Sequence, residues 1–263
     1  MGRKQHSSSR RLLSPAESSQ GSTPSQVAAN HAKRKASSRA LDLEAAAAHA
    51  LEAVNACYRE IDGYTIARVE RAAQRATGVV VDGVQYGEVK PSSFATVLAW
   101  MAPCADENFV DVGSGTGRAV MTAAALYPLG KAVGIEIQPR LHEAALHACS
   151  RMDWTAAATN QNKIEFKCAD GLGDGAIWPD TADLVFCTTT CFTEDMLQAF
   201  TSLACRLRPG TRIATTTRGL NKRGFELLQS GLLPYAKGAL TFFVYRRVES
   251  GRVSKRKHEE REE

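Results

Sequence analysis

A turn of glycines directly after a short apolar run constrains this fold more than any other feature of the chain. It reads Phe109-Val110-Asp111-Val112-Gly113-Ser114-Gly115-Thr116-Gly117. The apolar run predicts a buried strand, and the turn leads into the start of a helix. Glycine adopts positive φ angles without strain and lets a ligand approach the backbone closely. The turn is therefore expected to cradle a ligand at the edge of a sheet.

From about residue 92 the sequence alternates between short β-branched runs and amphipathic segments, which is typical of βαβ units. Strands are predicted at residues 109–112, 132–137, 164–168, 184–188 and 212–217, with helices at 93–101, 117–125, 140–153 and 194–206. Two later apolar runs, 225–233 and 241–245, flank a turn and predict a hairpin with an antiparallel last strand. The predicted fold class is α/β, a Rossmann-like, seven-stranded and mostly parallel sheet.

The spacing of the glycines separates two classes of nucleotide cofactor. Nicotinamide enzymes carry G-x-G-x-x-G, which requires glycine at position 118, where this chain has Arg118. The pattern here is D-x-G-x-G-x-G, with Asp111 ahead of the turn. A carboxylate there suits a ligand with an ammonium group, such as the methionine part of S-adenosylmethionine, and suits a pyrophosphate poorly.

Two further acids follow at the ends of the next predicted strands. Glu136 ends the second strand, where a carboxylate can accept both hydroxyls of a ribose. Asp170 follows the third strand, where an adenine amino group would arrive. Each acid alone fits an ordinary strand end or helix cap. Together with Asp111, they predict a site for S-adenosylmethionine.

Two more segments carry a resemblance to a known family. Upstream stands Tyr86-Gly87-Glu88-Val89-Lys90-Pro91-Ser92, and at the end of the fourth strand stands Phe186-Cys187-Thr188-Thr189-Thr190-Cys191-Phe192. With the glycine turn, these segments resemble the disruptor-of-telomeric-silencing family of histone-lysine methyltransferases. That family is Rossmann-like, lacks a SET domain and modifies a lysine on the globular face of histone three in the nucleosome. The resemblance covers roughly residues 86–246 and implies a Rossmann-like methyltransferase sheet.

Carried over by position, the resemblance implies which residues bind the cofactor. The loop ahead of the sheet covers the methionine end, the glycine turn holds the methionine, and the two later acids hold the ribose and the adenine. The implied cofactor-binding residues are Tyr86, Gly87, Glu88, Asp111, Gly113, Gly115, Gly117, Glu136, Asp170 and Gly171.

The resemblance also implies a catalytic set of Tyr86, Thr188 and Phe192. Thr188, with Thr189 and Phe192, lines the slot through which a lysine reaches the methyl group. The hydroxyls of Tyr86 or Thr188 orient the amine or relay its proton to water, and we expect neither a dedicated general base nor a metal. The chain departs from the family in having Thr188 for asparagine, Gly171 for an aromatic residue and Arg118 for an amide.

Other functions fit parts of this pattern. One is a methyltransferase for RNA, for another protein or for a small molecule, although no Asn or Asp followed by Pro-Pro ends the fourth strand. Another is a chromatin-binding module with weakened catalysis, because a threonine hydroxyl at position 188 offers one donor where an amide offers two.

Four regions are expected along the chain. They are a disordered basic tail at 1–39, a helical subdomain with the cofactor-covering loop at 40–90, the catalytic domain at 91–248 and a charged disordered tail at 249–263. Helix formers at about 41–58 and 64–75 predict the subdomain, whose role the sequence leaves open.

The net charge of +5 is concentrated at the two ends. Residues 1–40 hold eight Lys or Arg against one Glu, and those from 246 onward hold seven against five acids. Such tails fit a nuclear address or arms on the DNA backbone of a nucleosome, or simply a solubilising tail. Seven scattered cysteines without a CxxC pair indicate a reducing compartment. We expect a nuclear protein without a membrane segment, and the sequence leaves its oligomeric state open.

Overall fold

The structure is a computed structural model, and it describes residues 43–78, 86–220 and 223–249. The basic tail at 1–39 and nearly all of the charged tail at 249–263 lie outside the described residues. The chain divides into two compact units, residues 1–45 and 46–263. Of the first unit, only residues 43–45 are described, and they are helical. Among the described residues, no helix is both long enough and apolar enough to cross a membrane.

Helices precede the sheet and then alternate with its strands. Residues 43–57 form α1. The remaining helices are α2 (Gly63–Ala76), α3 (Pro91–Met101), α4 (Arg118–Leu126), α5 (Pro139–Ser150), α6 (Trp178–Thr181) and α7 (Glu194–Ala204). The strands are β1 (Asn108–Val112), β2 (Lys131–Glu136), β3 (Ile164–Cys168), β4 (Leu184–Cys187), β5 (Arg212–Thr216), β6 (Phe225–Pro234) and β7 (Ala239–Arg247).

Within the described residues, seven strands form one sheet in the order β3-β2-β1-β4-β5-β7-β6. The first five strands are parallel, and β7 runs antiparallel to both β5 and β6. The α/β class, the Rossmann-like sheet and the antiparallel last strand are confirmed. Because the order reverses between β1 and β4, a crevice opens at their carboxyl ends, where open α/β sheets bind ligands.

Alternating side chains of the strands bury both faces of the sheet. Phe109 and Phe186 point into a core built with α3 and α4. Their neighbours Val110 and Val185 point into a second core, with α6 and α7. Strands buried on both faces are continuous apolar runs, which explains how the sequence revealed them. A third cluster packs α1 against α4 and α5.

Two local features differ from the sequence prediction. Helix α5 ends at Ser150 and not at residue 153. Asp153 instead accepts a hydrogen bond from the Thr155 N–H at 3.0 Å and begins a separate 3₁₀ turn. The short helix α6 was missed, because four residues are too few to show a helical period.

An ion pair joins the turn before β1 to the start of β5. Arg212 Nη1 donates to Glu107 Oε1 at 3.0 Å, and Arg212 Nε donates to the Met101 carbonyl oxygen at 3.0 Å. Burial alone would raise the pKa of Glu107, but the bonds from Arg212 and from the Cys104 N–H outweigh it, so the pKa lies below its ordinary 4.5. The pair therefore holds the edges of three elements together.

We predict that Glu107→Gln flattens the acid limb of the stability profile. Because the folded pKa of Glu107 is lowered, its contribution is complete above the ordinary value and is lost as the pH falls through the folded value. The expected loss at neutral pH is about 1.5–3 kcal/mol of unfolding free energy. Chemical denaturation at several pH values measures it. Glu226→Gln, in an exposed pair with Arg246, is the control, and an equal effect of both variants would contradict this assignment.

Candidate functional site

A cavity of about 460 Å³ opens at the carboxyl ends of the parallel strands. Its walls come from the glycine turn after β1, the ends of β2, β3 and β4, the segment before α3 and the first turns of α7. The structure brings together these predicted residues: Tyr86, Gly87, Glu88, Asp111, Gly113, Gly115, Glu136, Asp170, Gly171, Thr188 and Phe192. Gly117 and Thr189 lie outside the lining.

The glycine turn is left-handed at three positions. Gly113, Gly115 and Gly117 have φ angles of 80°, 55° and 84°. A Cβ on Gly113 would meet no atom within 4 Å, whereas a Cβ on Gly117 would lie 2.6 Å from Phe166 Cε1. The first of these glycines therefore leaves space in the cavity, and the last allows close packing beneath it.

Asp111 brings a carboxylate to the inner wall of the cavity. The residue is 2% exposed, and its Oδ1 has no hydrogen-bond partner among the described residues. Burial, followed by the charge of Glu136, raises the pKa of Asp111 well above its usual value. A buried acceptor without a partner costs free energy, so this oxygen is suited to a cationic or donor group of a ligand.

Glu136 holds the turn in place. Its Oε2 accepts from the Gly115 N–H at 2.7 Å, and its Oε1 accepts from the Gln138 N–H at 2.8 Å. Burial raises the pKa of Glu136, although these backbone bonds oppose the shift. The two carboxylate oxygens have about four acceptor sites between them, so Glu136 can still accept from a hydroxyl in the cavity.

The far end of the cavity combines one acid with apolar surface. Asp170 is exposed, and its Oδ1 accepts from the Leu172 N–H at 2.8 Å. A Cβ on Gly171 would lie 2.8 Å from Val112 Cγ1, so the chain packs closely there. Ile137 is 46% exposed beside it and was missed by the sequence reasoning. The available signal was an apolar residue directly after the acid that ends β2.

A network of polar and charged side chains lies beside the glycine turn. Tyr86 donates from its hydroxyl to Glu88 Oε1 at 2.7 Å and lies 3.0 Å from Thr116 Oγ1. Glu88 Oε2 and Arg118 Nε lie 3.2 Å apart and form an ion pair. The geometry of this pair does not meet the criteria for a hydrogen bond. Burial, followed by the charge of Glu88, raises the pKa of Tyr86. The Tyr86 phenol therefore stays neutral and is committed to its carboxylate partner.

The N-terminal helices contribute to this network, a role that the sequence left open. The Arg118 guanidinium lies over the Tyr58 ring, 4.1 Å from its centroid. The Tyr58 hydroxyl donates to the Thr116 carbonyl oxygen at 2.9 Å. Tyr64 in α2 meets Tyr86 edge to face, with ring centroids 5.4 Å apart. Tyr58 and Tyr64 therefore support the cavity from outside its described lining.

The opposite wall of the cavity lies at the end of β4. Thr188 and Phe192 line it, together with Cys191. Thr189 is fully buried, and its hydroxyl donates to the Thr216 carbonyl oxygen at 2.5 Å. Alternation along this segment places its first threonine in the cavity and the next in the core.

A family model, Histone methylation protein DOT1, matches residues 79–230. The histone-lysine N-methyltransferase, H3 lysine-79 specific, of Caenorhabditis elegans is 30% identical over 144 residues, which are 52% of this chain and 15% of that protein. The chain therefore spans well under two thirds of this curated relative.

Two solved structures are similar to this chain, and the first of them shares its fold. TrmN from Thermus thermophilus has a TM-score of 0.51 at 17% identity, covering 69% of this chain and 66% of that one. The magnesium protoporphyrin IX methyltransferase of Synechocystis, solved with bound S-adenosylmethionine, has a TM-score of 0.46 at 17% identity, covering 72% of this chain and 99% of that one.

The order of the strands and the position of the cavity define the class of this protein. It has the Rossmann-like fold of the methyltransferases that bind S-adenosylmethionine. The chain belongs to the DOT1 family of histone methylation proteins, because the family model covers more than half of it. The family predicted from residues 86–246 is confirmed.

We predict that Gly113→Ala and Gly117→Ala separate the two roles of the glycine turn. Both place a Cβ at a positive φ angle, which costs about 1–3 kcal/mol. Gly117→Ala also forces a methyl group against Phe166, so its thermal midpoint falls further. Gly113→Ala directs its methyl group into the open cavity. Of the two variants it should therefore lose more affinity for S-adenosylhomocysteine, measured by calorimetry, and less thermal stability. The reverse ranking in either measurement would contradict these roles.

Proposed function

We propose that this chain transfers a methyl group from S-adenosylmethionine to a lysine in the globular core of histone three in nucleosomes. The observation that carries the proposal is the buried carboxyl of Asp111, whose Oδ1 has no hydrogen-bond partner among the described residues, close to the open space at Gly113. Membership of the DOT1 family supports histone methylation as the activity, and the name of the Caenorhabditis elegans relative supports the acceptor.

Charge in the cavity fits this cofactor. Its described lining contains five acids, Glu88, Asp111, Glu136, Asp170 and Asp195, and one basic residue, Arg118. An anionic cavity favours a ligand with a sulfonium and an ammonium group over a pyrophosphate. The Oδ1 of Asp111, which has no hydrogen-bond partner among the described residues, is the natural acceptor for the ammonium group, whose positive charge would favour the ionised form that burial and Glu136 disfavour.

The rest of the cavity fits the nucleoside part. Glu136 retains lone pairs for the two ribose hydroxyls after bonding the turn. Ile137 offers an exposed apolar surface for a base, and Asp170 offers an acceptor for an exocyclic amino group. The family's aromatic residue is Gly171 here, so Ile137 takes over the packing of the adenine in this proposal.

Catalysis in this cavity rests on alignment and on desolvation of the amine. The bound cofactor supplies an activated methyl group on a sulfonium. The walls hold the acceptor nitrogen in line with that methyl group. A lysine amine has an ordinary pKa of about 10.4 and must lose a proton before it attacks. The buried ring of Phe186 and the half-buried Phe192 disfavour the charged form of the amine.

The two proposed hydroxyls take different roles. Tyr86 stays protonated and is bound to Glu88, so it positions the segment that covers the cavity. Thr188 lines the cavity and is the hydroxyl that can orient the amine or pass its proton to water. The reaction therefore proceeds without a dedicated base.

Several alternatives exist for the methyl acceptor in this proposal. Thr188 in place of asparagine also fits a methyltransferase for RNA or another protein, or a chromatin-binding protein with weakened catalysis. The basic tails favour a nucleosome and a nuclear location, because an acidic cavity does not itself attract DNA.

Incubation with labelled S-adenosylmethionine and either nucleosomes, free histones or total RNA tests the function. Label on histone three within nucleosomes is expected. Label in RNA alone would contradict the acceptor, and binding of cofactor without transfer to any acceptor would favour the chromatin-binding alternative.

Asp111→Asn tests the cofactor site itself. Its affinity for S-adenosylmethionine should fall roughly 10- to 100-fold, the value of a charged hydrogen bond. The free energy of unfolding without ligand should rise at neutral pH, because the raised pKa of Asp111 means that folding must either protonate this carboxyl or bury its charge, and an amide requires neither. Calorimetric titration and thermal denaturation measure both. Asp174→Asn, at an exposed residue outside the lining, is the control, and unchanged affinity in Asp111→Asn would contradict this role.

Removal of residues 1–40 should lower methylation of nucleosomes much more than affinity for the cofactor. These residues carry eight Lys or Arg, and binding and its salt dependence both weaken when fewer DNA phosphates are neutralised. Initial rates at several salt concentrations measure the effect. A truncated chain as fast as the full chain would show that the tail does not serve the nucleosome.

A further inference from the structure

Arg218, directly beyond β5, ties down the segment between β4 and α7. Its Nη1 donates to the Phe192 carbonyl oxygen at 2.7 Å. Its Nη2 forms an ion pair with Glu194 in the first turn of α7. The Arg218 side chain is only 29% exposed, so water competes weakly for the bond to Phe192. Arg218 therefore contacts both sides of the α7 N-cap, the backbone at Phe192 and the side chain at Glu194.

The residue before Arg218 is conformationally strained. Thr217 has a φ angle of 59°, which a β-branched residue rarely adopts. Its N–H donates to the Thr241 carbonyl oxygen at 2.7 Å, and its hydroxyl lies 3.0 Å from Thr190 Oγ1. Such strain costs about 1–3 kcal/mol and persists where its surroundings fix it. The left-handed residue turns the chain out of β5 directly before the arginine.

Thr189, in the segment after β4, fixes the backbone around Arg218. Its buried hydroxyl donates to the carbonyl oxygens of Thr216 and Arg218, at 2.5 and 2.9 Å. The Phe192 N–H in turn donates to the Thr189 carbonyl oxygen at 3.2 Å. Phe192 is thus anchored through its N–H to Thr189 and through its carbonyl to Arg218.

We propose that Arg218 is a positioning residue for the acceptor side of the cavity. This rests on the proposed function, in which Thr188 and Phe192 line the entrance of the acceptor lysine. Arg218 is absent from the described lining of the cavity, so it acts through Phe192, whose ring faces the cavity and packs edge to face on Phe200. Loss of the bond to the Phe192 carbonyl lets that wall move and misaligns the amine.

Arg218→Met tests this role. Because small misplacements of reacting atoms are costly, kcat on nucleosomes should fall roughly 10- to 100-fold. The Kd of S-adenosylhomocysteine and the thermal midpoint should stay near those of the wild type. Arg218→Lys keeps the positive charge and a single donor nitrogen and should restore part of the rate. Arg206→Met, which removes an exposed pair with Asp180 beyond the other end of α7, is the matched control.

A double-mutant cycle of Arg218→Met with Phe192→Ala distinguishes positioning of the Phe192 ring from a general effect of Arg218 on kcat. If Arg218 acts through the Phe192 ring, Arg218→Met should change kcat little once the ring is gone. Additive losses would overturn the proposal, and so would wild-type kinetics in Arg218→Met. A parallel loss of cofactor affinity or of folding would show a merely structural role. A wild type that binds cofactor but methylates no acceptor would contradict the proposed function and with it this one.

Discussion

The cavity depends on how β2 holds the glycine turn that follows β1. The Gly113 and Ser114 N–H groups donate to the Ile135 carbonyl oxygen at 2.8 and 2.9 Å, and Gly115 donates to Glu136. The turn is thereby fixed from one side, while Gly113 leaves open space on the other. Since the same strand supplies Glu136 to the lining, the support of the turn and the proposed ribose site are one structure.

Around this turn the molecule uses aromatic and charged groups at the entrance and hydroxyl groups at the opposite wall. Tyr58, Tyr86 and Arg118 join the helices before the sheet to the turn. Hydroxyls of Thr189 and Thr190 join β4 to β5. Of these residues, Tyr86 and Arg118 line the cavity, and Tyr58, Thr189 and Thr190 support it from outside the described lining, which is how a site is held in a defined geometry.

The sequence predicted what local pattern determines and missed what depends on distant neighbours. Buried strands and the glycine turn have a period and a composition, so the sheet and the acids at its strand ends could be found. The contact of Tyr58 with Thr116 spans 58 residues, and that of Arg218 with Phe192 spans 26, so no window of sequence contains either. Gly117 followed the motif, yet the structure places it against Phe166, because only packing decides which glycine borders open space.

The excess of acids around the cavity distinguishes substrate from product. Methyl transfer removes the positive charge of the sulfonium and leaves a neutral thioether, while the surrounding carboxylates stay the same. The spent nucleoside is therefore held by a weaker field than the fresh one. Under the proposed function, the same charge arrangement that favours binding of the donor favours exchange of the product for a new donor.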